Sequence, residues 1–305
     1  MQTIGKIIID DELYSGKDLY SDGPIEDEML EIAQNYTADE YNKVIAKRGS
    51  WAILYHFSNV RENIVASMPI TKNDKVLEIG AGCGAITGIL SKMAAEVEAV
   101  ELSMKRTMIN ANRHRDCDNV RIRVGNFQDI EKKLPNDYDV ITLIGVFEYA
   151  KSYIDAEDPY VEFLRIIKRH LAPGGRLILA IENKFGLKYF AGCREDHTQQ
   201  YFDGIEGYRE TSHVRTFGRR ELAKMIAEAG FGRQDFYYPY PDYKLPEVIF
   251  SDDYLPKANE LTMNHRNFDF DRVEIFDENK VYAGLIEEGL FSEFSNSFLV
   301  VAQGE

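Results

Sequence analysis

Apolar and polar positions along this chain follow two periods in turn. Short runs such as Val76-Leu77-Glu78-Ile79, Val97-Glu98-Ala99-Val100 and Val120-Arg121-Ile122-Arg123-Val124 have the length and β-branched content of strands. Between them apolar residues recur three and four apart, as in Ile86, Ile89, Leu90 and Met93, the spacing of one helix face. The pattern predicts strands over 75–79, 96–101, 120–124, 139–144, 176–182, 234–239 and 295–302. It predicts helices over 84–94, 103–115, 157–170 and 219–229. Alternation of the two types from about 75 to 182 points to an α/β protein with a largely parallel sheet. Residues 25–69 read as helical, through Met29, Ile32 and Ala33 and a second amphipathic segment over Trp51–Ala66. Residues 1–24 mix Ile7-Ile8-Ile9 with acids and Gly-Pro and read as irregular.

The first of these strands runs into Gly80-Ala81-Gly82-Cys83-Gly84. Glycines at such a junction let the chain turn sharply and let a ligand lie against bare backbone, beside the free N–H groups of the helix that follows. That is a nucleotide-type corner, and its pattern is not exclusive. Gly80-x-Gly82-x-x-Ala85, with Glu101 about twenty residues on, also satisfies the dinucleotide fingerprint. Four features favour a sulfonium cofactor instead. Glu78 lies at the strand-to-loop junction, where it would attract a cation and repel a pyrophosphate. Glu101 ends the next strand. Gly125-Asn126-Phe127 follows a third, offering an amide for an adenine edge and a ring to stack on it. Leu171-Ala172-Pro173-Gly174-Gly175 then precedes the strand Arg176–Ile181.

In this order the motifs resemble the class I S-adenosylmethionine-dependent methyltransferases, over roughly residues 55–240. The resemblance implies a Rossmann-like, doubly wound, mostly parallel seven-stranded sheet with an antiparallel last strand, plus an N-terminal helical cap and insertions. The cap would span 1–69, with Tyr55, His56, Ser58, Arg61 and Asn63 near its seam with the cofactor. The cofactor-binding core would span 70–240, and 295–305 would supply its last strand. S-adenosylmethionine is the implied cofactor. Glu78, Gly80, Ala81, Gly82, Gly84, Leu102 and Gly145 would line it, with Glu101 on its ribose and Asn126 and Phe127 on its adenine. The family usually has Asp where this chain has Asn126.

Two stretches exceed what connection requires, 183–216 and 241–294. The first springs from the carboxyl end of a strand, where open α/β sheets bind ligands, and is expected to build the acceptor pocket. The second is expected to be an insertion, a subdomain or an oligomer contact. Ile181-Glu182-Asn183-Lys184-Phe185-Gly186-Leu187-Lys188-Tyr189-Phe190, Glu195-Asp196-His197-Thr198 and Tyr237–Pro246 resemble methyltransferase modules of bacterial surface-polysaccharide (O-antigen or capsule) assembly. This implies a small-molecule or glycan acceptor, methylated on oxygen, and glycosyltransferase domains as neighbours. Asn183, Lys184, Tyr189, Tyr201 and Tyr149 are the candidate acceptor contacts. For the base, His197 has the right titration range; His213 and Glu148 are its rivals. Glu195, Asp196 and His197 are adjacent and point apart, so no metal is expected.

A net charge of −15 argues against a nucleic-acid substrate, since the basic clusters Arg113–Arg115 and Lys168–His170 both read as helix ends. Aromatic residues, 18 Tyr and 17 Phe, crowd after residue 185 and suit either a packed cap or a carbohydrate site. No apolar run is long enough for a bilayer span or a signal peptide. Three cysteines without C-x-x-C spacing read as free thiols of a cytoplasmic protein. Two other functions fit the sequence. One is an NAD(P)-dependent oxidoreductase, although no Tyr-x-x-x-Lys pair falls on a predicted helix after residue 125. The other is a non-catalytic cofactor-binding module of polysaccharide assembly.

Overall fold

Strand β1 (Gln2–Ile4) and strand β2 (Ile7–Asp10) form where the sequence read as irregular. They belong to a computed structural model that describes residues 1–210, 212–264 and 271–304; Thr211, Glu305 and residues 265–270 of the second long stretch lie outside it. The chain divides into two compact units, Met1–Leu143 with Arg169–Arg176, and Ile144–Lys168 with Leu177–Glu305.

In the first unit β3 (Lys75–Ile79) pairs in parallel with β4 (Glu96–Glu101) and with β6 (Tyr138–Ile144), and β4 pairs in parallel with β5 (Val120–Val124). Strand order is β1-β2-β5-β4-β3-β6, so chain direction along the sheet reverses between β3 and β6. That reversal is the switch point at which open α/β sheets hold their ligands. Val76 and Leu77 have no exposed surface, as expected for a strand covered on both faces.

β2 explains the misreading of residues 1–24. Its register sets Ile9 opposite Ile122, in parallel, and Asp10 pairs with Arg121 (2.8 Å) and Arg123 (3.1 Å) of β5. Ile7 and Ile9 are fully buried while Ile8 is 43% exposed. Four residues give too short an alternation to register as a strand, and the partner that makes it one lies more than a hundred positions on. Ile9→Ala is therefore expected to cost about 2–4 kcal/mol in urea unfolding, as for a core residue. A loss below about 0.5 kcal/mol, usual for surface sites, would show that the hairpin is not docked.

Helices α1 (Ile25–Asn35), α2 (Tyr41–Arg48), α3 (Trp51–Phe57) and α4 (Asn63–Ala66) make up the expected cap. Met29, Ile32, Val44, Ile53 and Phe57 form one buried cluster with Cys83 of the glycine loop and Ile109. The helix after the loop, α5 (Thr87–Met93), starts later than its apolar spacing suggests, because the turn occupies the preceding residues. Ile109 lies on α6 (Met104–Arg113), and α7 (Phe127–Ile130) follows β5.

In the second unit the order is β7 (Leu171–Glu182), β10 (Ser297–Gly304), β8 (Phe231–Tyr240) and β9 (Val248–Ser251). β10 runs antiparallel to β8, the expected orientation of the last strand. β9 comes from the stretch 241–294 and adds an antiparallel edge to β8. With β1 and β2 it raises the count of described strands to ten, three above the seven expected. Among the described residues no helix is long and apolar enough to cross a membrane. Cys83, Cys117 and Cys193 are unpaired.

Candidate active site

The turn after β3 is made of left-handed backbone. Gly80 and Gly82 have φ of +74° and +53°, a region that costs a residue with a Cβ about 1–2 kcal/mol. No protein atom lies within 4 Å of the place a Cβ on Gly82 would take. A Cβ on Gly84 would strike Asn110 Oδ1 at 2.3 Å. Gly82 thus presents bare backbone, whereas Gly84, expected to line the cofactor, serves close packing against α6.

Glu101 closes the corner. Its Oε2 accepts the Gly82 N–H at 2.7 Å and its Oε1 the Ser103 N–H at 2.9 Å, so one carboxylate ties the loop to the start of α6. It is 5% exposed, and burial raises its pKa against the pull of Arg106 and those amides. Each oxygen retains a second lone pair for a hydroxyl donor. Arg113 Nη1 donates to the carbonyls of Cys83 (2.6 Å) and His56 (2.7 Å), fixing the loop to α3. Asn126 Oδ1 accepts from Gln128 N at 3.1 Å and caps α7. An amide caps a helix as well as a carboxylate does, which accommodates Asn in place of the usual Asp. Ala81 and Phe127 are buried and Leu102 is half-buried.

Residues 13–22, overlooked in the sequence, also shape this corner. Asp18 accepts the Met104 N–H at 2.6 Å at the first turn of α6, and Tyr20 lies 4.5 Å from the Arg106 guanidinium. Asp22 pairs with Arg106 and with His56, both at 2.8 Å. The Leu13 carbonyl oxygen is 2.6 Å from where a Cβ on Gly125 would be. These contacts join residues from 34 to more than a hundred positions apart and leave no local pattern. His56, placed on the cap seam by the sequence, is buried, and that burial pulls its pKa down.

Glu78 is 4% exposed and accepts from Thr87 Oγ1 at 2.6 Å; Thr87 in turn accepts from Asn110 Nδ2 at 2.9 Å. Burial pushes its pKa from 4.5 up to about 8. The native chain therefore keeps a proton there that the unfolded chain releases near pH 4.5, so this contribution to stability is full below pH 4.5 and is lost by about pH 8. Glu78→Gln should remove the dependence: its stability relative to the unaltered protein should rise across that window by a few kcal/mol. Thermal unfolding at pH 5 and pH 8 measures it, and equal differences at both would contradict a protonated Glu78.

The second unit holds a buried charged cluster. Glu148 follows the end of β6 and is 1% exposed; Phe147 beneath it is fully buried. His197 Nε2 lies 3.7 Å from Glu148 Oε1, and its Nδ1 lies 3.1 Å from Glu195 Oε1. Tyr149 meets the His197 ring edge-on at 5.4 Å. Glu182, at the end of β7, is fully buried; its Oε1 accepts from Tyr243 Oη (3.2 Å) and Lys244 Nζ. Glu148 Oε2 and Glu182 Oε2 are buried without a hydrogen-bond partner among the described residues. Burial lowers the pKa of His197, yet the carboxylates of Glu182, Glu148 and Glu195 together hold it well above its ordinary value. Burial raises Glu148, with His197 opposing and Glu182 adding to the rise. Lys188 and Lys244 hold Asp196 well below the carboxylate range despite its burial, and Tyr189 Oη donates to Asp196.

The other candidates lie elsewhere. Asn183 is fully buried, its Nδ2 donating to the Glu293 and Ser295 carbonyls (both 2.8 Å) and its Oδ1 accepting from Phe185 N (3.0 Å). Its polar atoms staple the chain together. Lys184 pairs with Glu221 at 2.7 Å. Tyr201 is 37% exposed beneath Arg194, and His213 is exposed with its carbonyl accepting from Ser152 Oγ. Gly145 (φ +67°) packs against Tyr243, whose Oη is 2.7 Å from the place of a Cβ. Glu195, Lys188, Lys244 and Asp242 were not singled out as site residues; the charged cluster becomes visible only once Asp242 and Lys244 meet the chain after β7.

Known proteins share this architecture. The chain is 24% identical over 202 residues to a ubiquinone biosynthesis O-methyltransferase of Xanthomonas campestris, covering 60% of this chain and 81% of that one. It is 35% identical over 96 residues to the ribosomal RNA small subunit methyltransferase A of Borreliella afzelii, spanning 31% of this chain and only a third of that relative. A solved S-adenosylmethionine-dependent methyltransferase of Archaeoglobus fulgidus superposes with a TM-score of 0.52 at 13% identity, over 83% of this chain and all of that one. A methyltransferase of Haloferax volcanii, solved with its activator Trm112, gives 0.50 at 19% identity over 88% and 97%. The methyltransferase domain family matches residues 51–232, more than half of the chain. The chain thus belongs to the class I methyltransferases and is an enzyme that takes its methyl group from S-adenosylmethionine.

Proposed function

We propose that this enzyme methylates a hydroxyl group of a sugar or glycan precursor, with the Glu148–Glu182–His197 cluster serving the acceptor. The observation that carries this reading is the pair of buried, unpartnered carboxylate oxygens, Glu148 Oε2 and Glu182 Oε2. A buried acceptor atom left without a donor costs about 1–3 kcal/mol. A polyhydroxylated ligand supplies donors, and the phenols of Tyr149, Tyr189 and Tyr208 nearby suit its mixed polar and apolar surface. The O-methyltransferase named among the relatives is in keeping with a hydroxyl acceptor.

The step is an in-line displacement. S-adenosylmethionine, when bound, would supply the methyl: the acceptor oxygen would bond to its carbon as the carbon–sulfur bond breaks, leaving a neutral thioether. The hydroxyl proton passes to Glu148. Both ring nitrogens of His197 already face carboxylates, whereas Glu148 Oε2 has no partner. His197 then positions Glu148 and does not take the proton itself. Glu101 would accept from the ribose hydroxyls of a bound cofactor. Alignment supplies on the order of 7–11 kcal/mol of the barrier reduction and the base about 100-fold or more.

Transfer of labelled methyl from S-adenosylmethionine to sugar nucleotides or lipid-linked glycans, with the product mapped by mass spectrometry, tests the proposal. Label on a sugar oxygen supports it. Label on nitrogen or on a non-sugar acceptor overturns the acceptor assignment, and cofactor binding without transfer to any fraction favours the non-catalytic module.

A further inference from the structure

Among the described residues, charge in the cluster around His197 does not balance. Lys188 bridges Asp196 (3.0 Å) and Asp242 (2.7 Å), and Lys244 bridges Asp196 (2.7 Å) and Glu182. Setting the two ammonium groups against Asp196 and Asp242 leaves three carboxylates, Glu148, Glu182 and Glu195, around one imidazole. All three are at most 2% exposed. Buried carboxylates without matching cations are costly, and they take up a proton, find a partner or coordinate a metal. Two of their oxygens, Glu148 Oε2 and Glu182 Oε2, are buried with no donor.

The geometry points to a divalent metal ion held by Glu148, Glu182 and His197. Each offers one donor atom, and the three atoms lie within 4.8 Å of one another. An ion bonded at about 2.1 Å to its ligands sets neighbouring donors roughly 3 Å apart, so Glu148 and His197, now 3.7 Å apart, draw closer on binding. The outer groups are placed as such a site requires. Glu195 Oε1 faces His197 Nδ1 at 3.1 Å, which fixes the ring and turns Nε2 towards Glu148. Tyr243 and Lys244 hold Glu182 by its Oε1. One imidazole with two carboxylates suits Mn2+ or Zn2+ better than Mg2+ or Ca2+, which favour all-oxygen shells.

The expectation of no metal rested on Glu195, Asp196 and His197, which are sequence neighbours. The donor set instead draws on three separate segments, so no ligand spacing marks it. This inference rests on the hydroxyl-acceptor reading only for the ion's purpose: it would take the acceptor oxygen and ease loss of its proton.

The test is titration of Mn2+ into the EDTA-stripped full chain, followed by the paramagnetic resonance of free ion. Expected is loss of the free-ion signal to about one equivalent, with Glu148→Gln and Glu182→Gln each weakening binding upward of about tenfold. No uptake by the unaltered protein, or uptake that survives both substitutions together, overturns the site. If a variant fails to fold, anomalous scattering from Mn2+-soaked crystals of the unaltered protein decides. A peak bonded to the three side chains supports the site, and a peak elsewhere or none overturns it. S-adenosylhomocysteine titrated into the same preparations separates the two ideas. Cofactor binding without Mn2+ binding removes the ion and leaves the methyl-transfer reading intact, while Mn2+ binding beside methylation on a non-hydroxyl acceptor does the reverse.

Discussion

Glu101→Ala should weaken S-adenosylhomocysteine binding by about a hundredfold or more in titration calorimetry. Two hydrogen bonds to a charged carboxylate, at roughly 1.5 kcal/mol each, sum to about 3 kcal/mol, and 1.4 kcal/mol is a factor of ten. The same substitution removes the acceptor of the Gly82 and Ser103 amides, so the loop loses its tie to α6. Part of the loss will therefore appear as stability, about 1–3 kcal/mol for each amide left unpaired. Glu101→Gln separates the two effects, because an amide oxygen still accepts from one of those N–H groups. It should recover much of the stability and little of the affinity. An affinity within threefold of the unaltered protein for Glu101→Ala would remove Glu101 from the ribose role.

The second large effect is on turnover. Glu148→Gln keeps the shape of the side chain and removes its capacity to take a proton, and kcat for methyl transfer should fall about 10²–10⁴-fold. Binding of S-adenosylhomocysteine should change little, since the glycine corner and Glu101 are untouched. His197→Gln, by contrast, should lower kcat less, since in the proposed step His197 positions Glu148 and Glu148 takes the proton. A Glu148→Gln enzyme that turns over within threefold of normal would end the base assignment.

The glycine turn and the acid one strand over were legible in the sequence because their determinants are local. Gly80, Gly82 and Glu78 are fixed by the turn they make, and Glu101 by its place at the end of a strand with clear alternation. The strands from β3 to β7 were legible for the same reason, as periodic runs bounded by turn residues, although β7 begins at Leu171, ahead of the expected 176, and the short α7 was not foreseen. Gly84 shows the limit: its spacing suits a cofactor contact, but Asn110 and His114 occupy the space beside it. β2 was hidden because its identity as a strand depends on β5. The charged cluster was half visible, since Glu148 and His197 stood out singly while Glu182, Glu195 and their meeting did not. Asn183, chosen for its polarity beside an aromatic run, proved to be bound by backbone groups on both sides.

The short hairpin at the start of the chain has a consequence for handling the protein. By lying along β5 it covers a row of amides and carbonyls that would otherwise offer themselves to another molecule's strand. β1, only three residues long, then forms the outer rim, too brief to template much pairing. Removing residues 1–10 would trade that blunt rim for a bare five-residue ladder. The shortened enzyme should be prone to self-association even where its catalytic residues are intact.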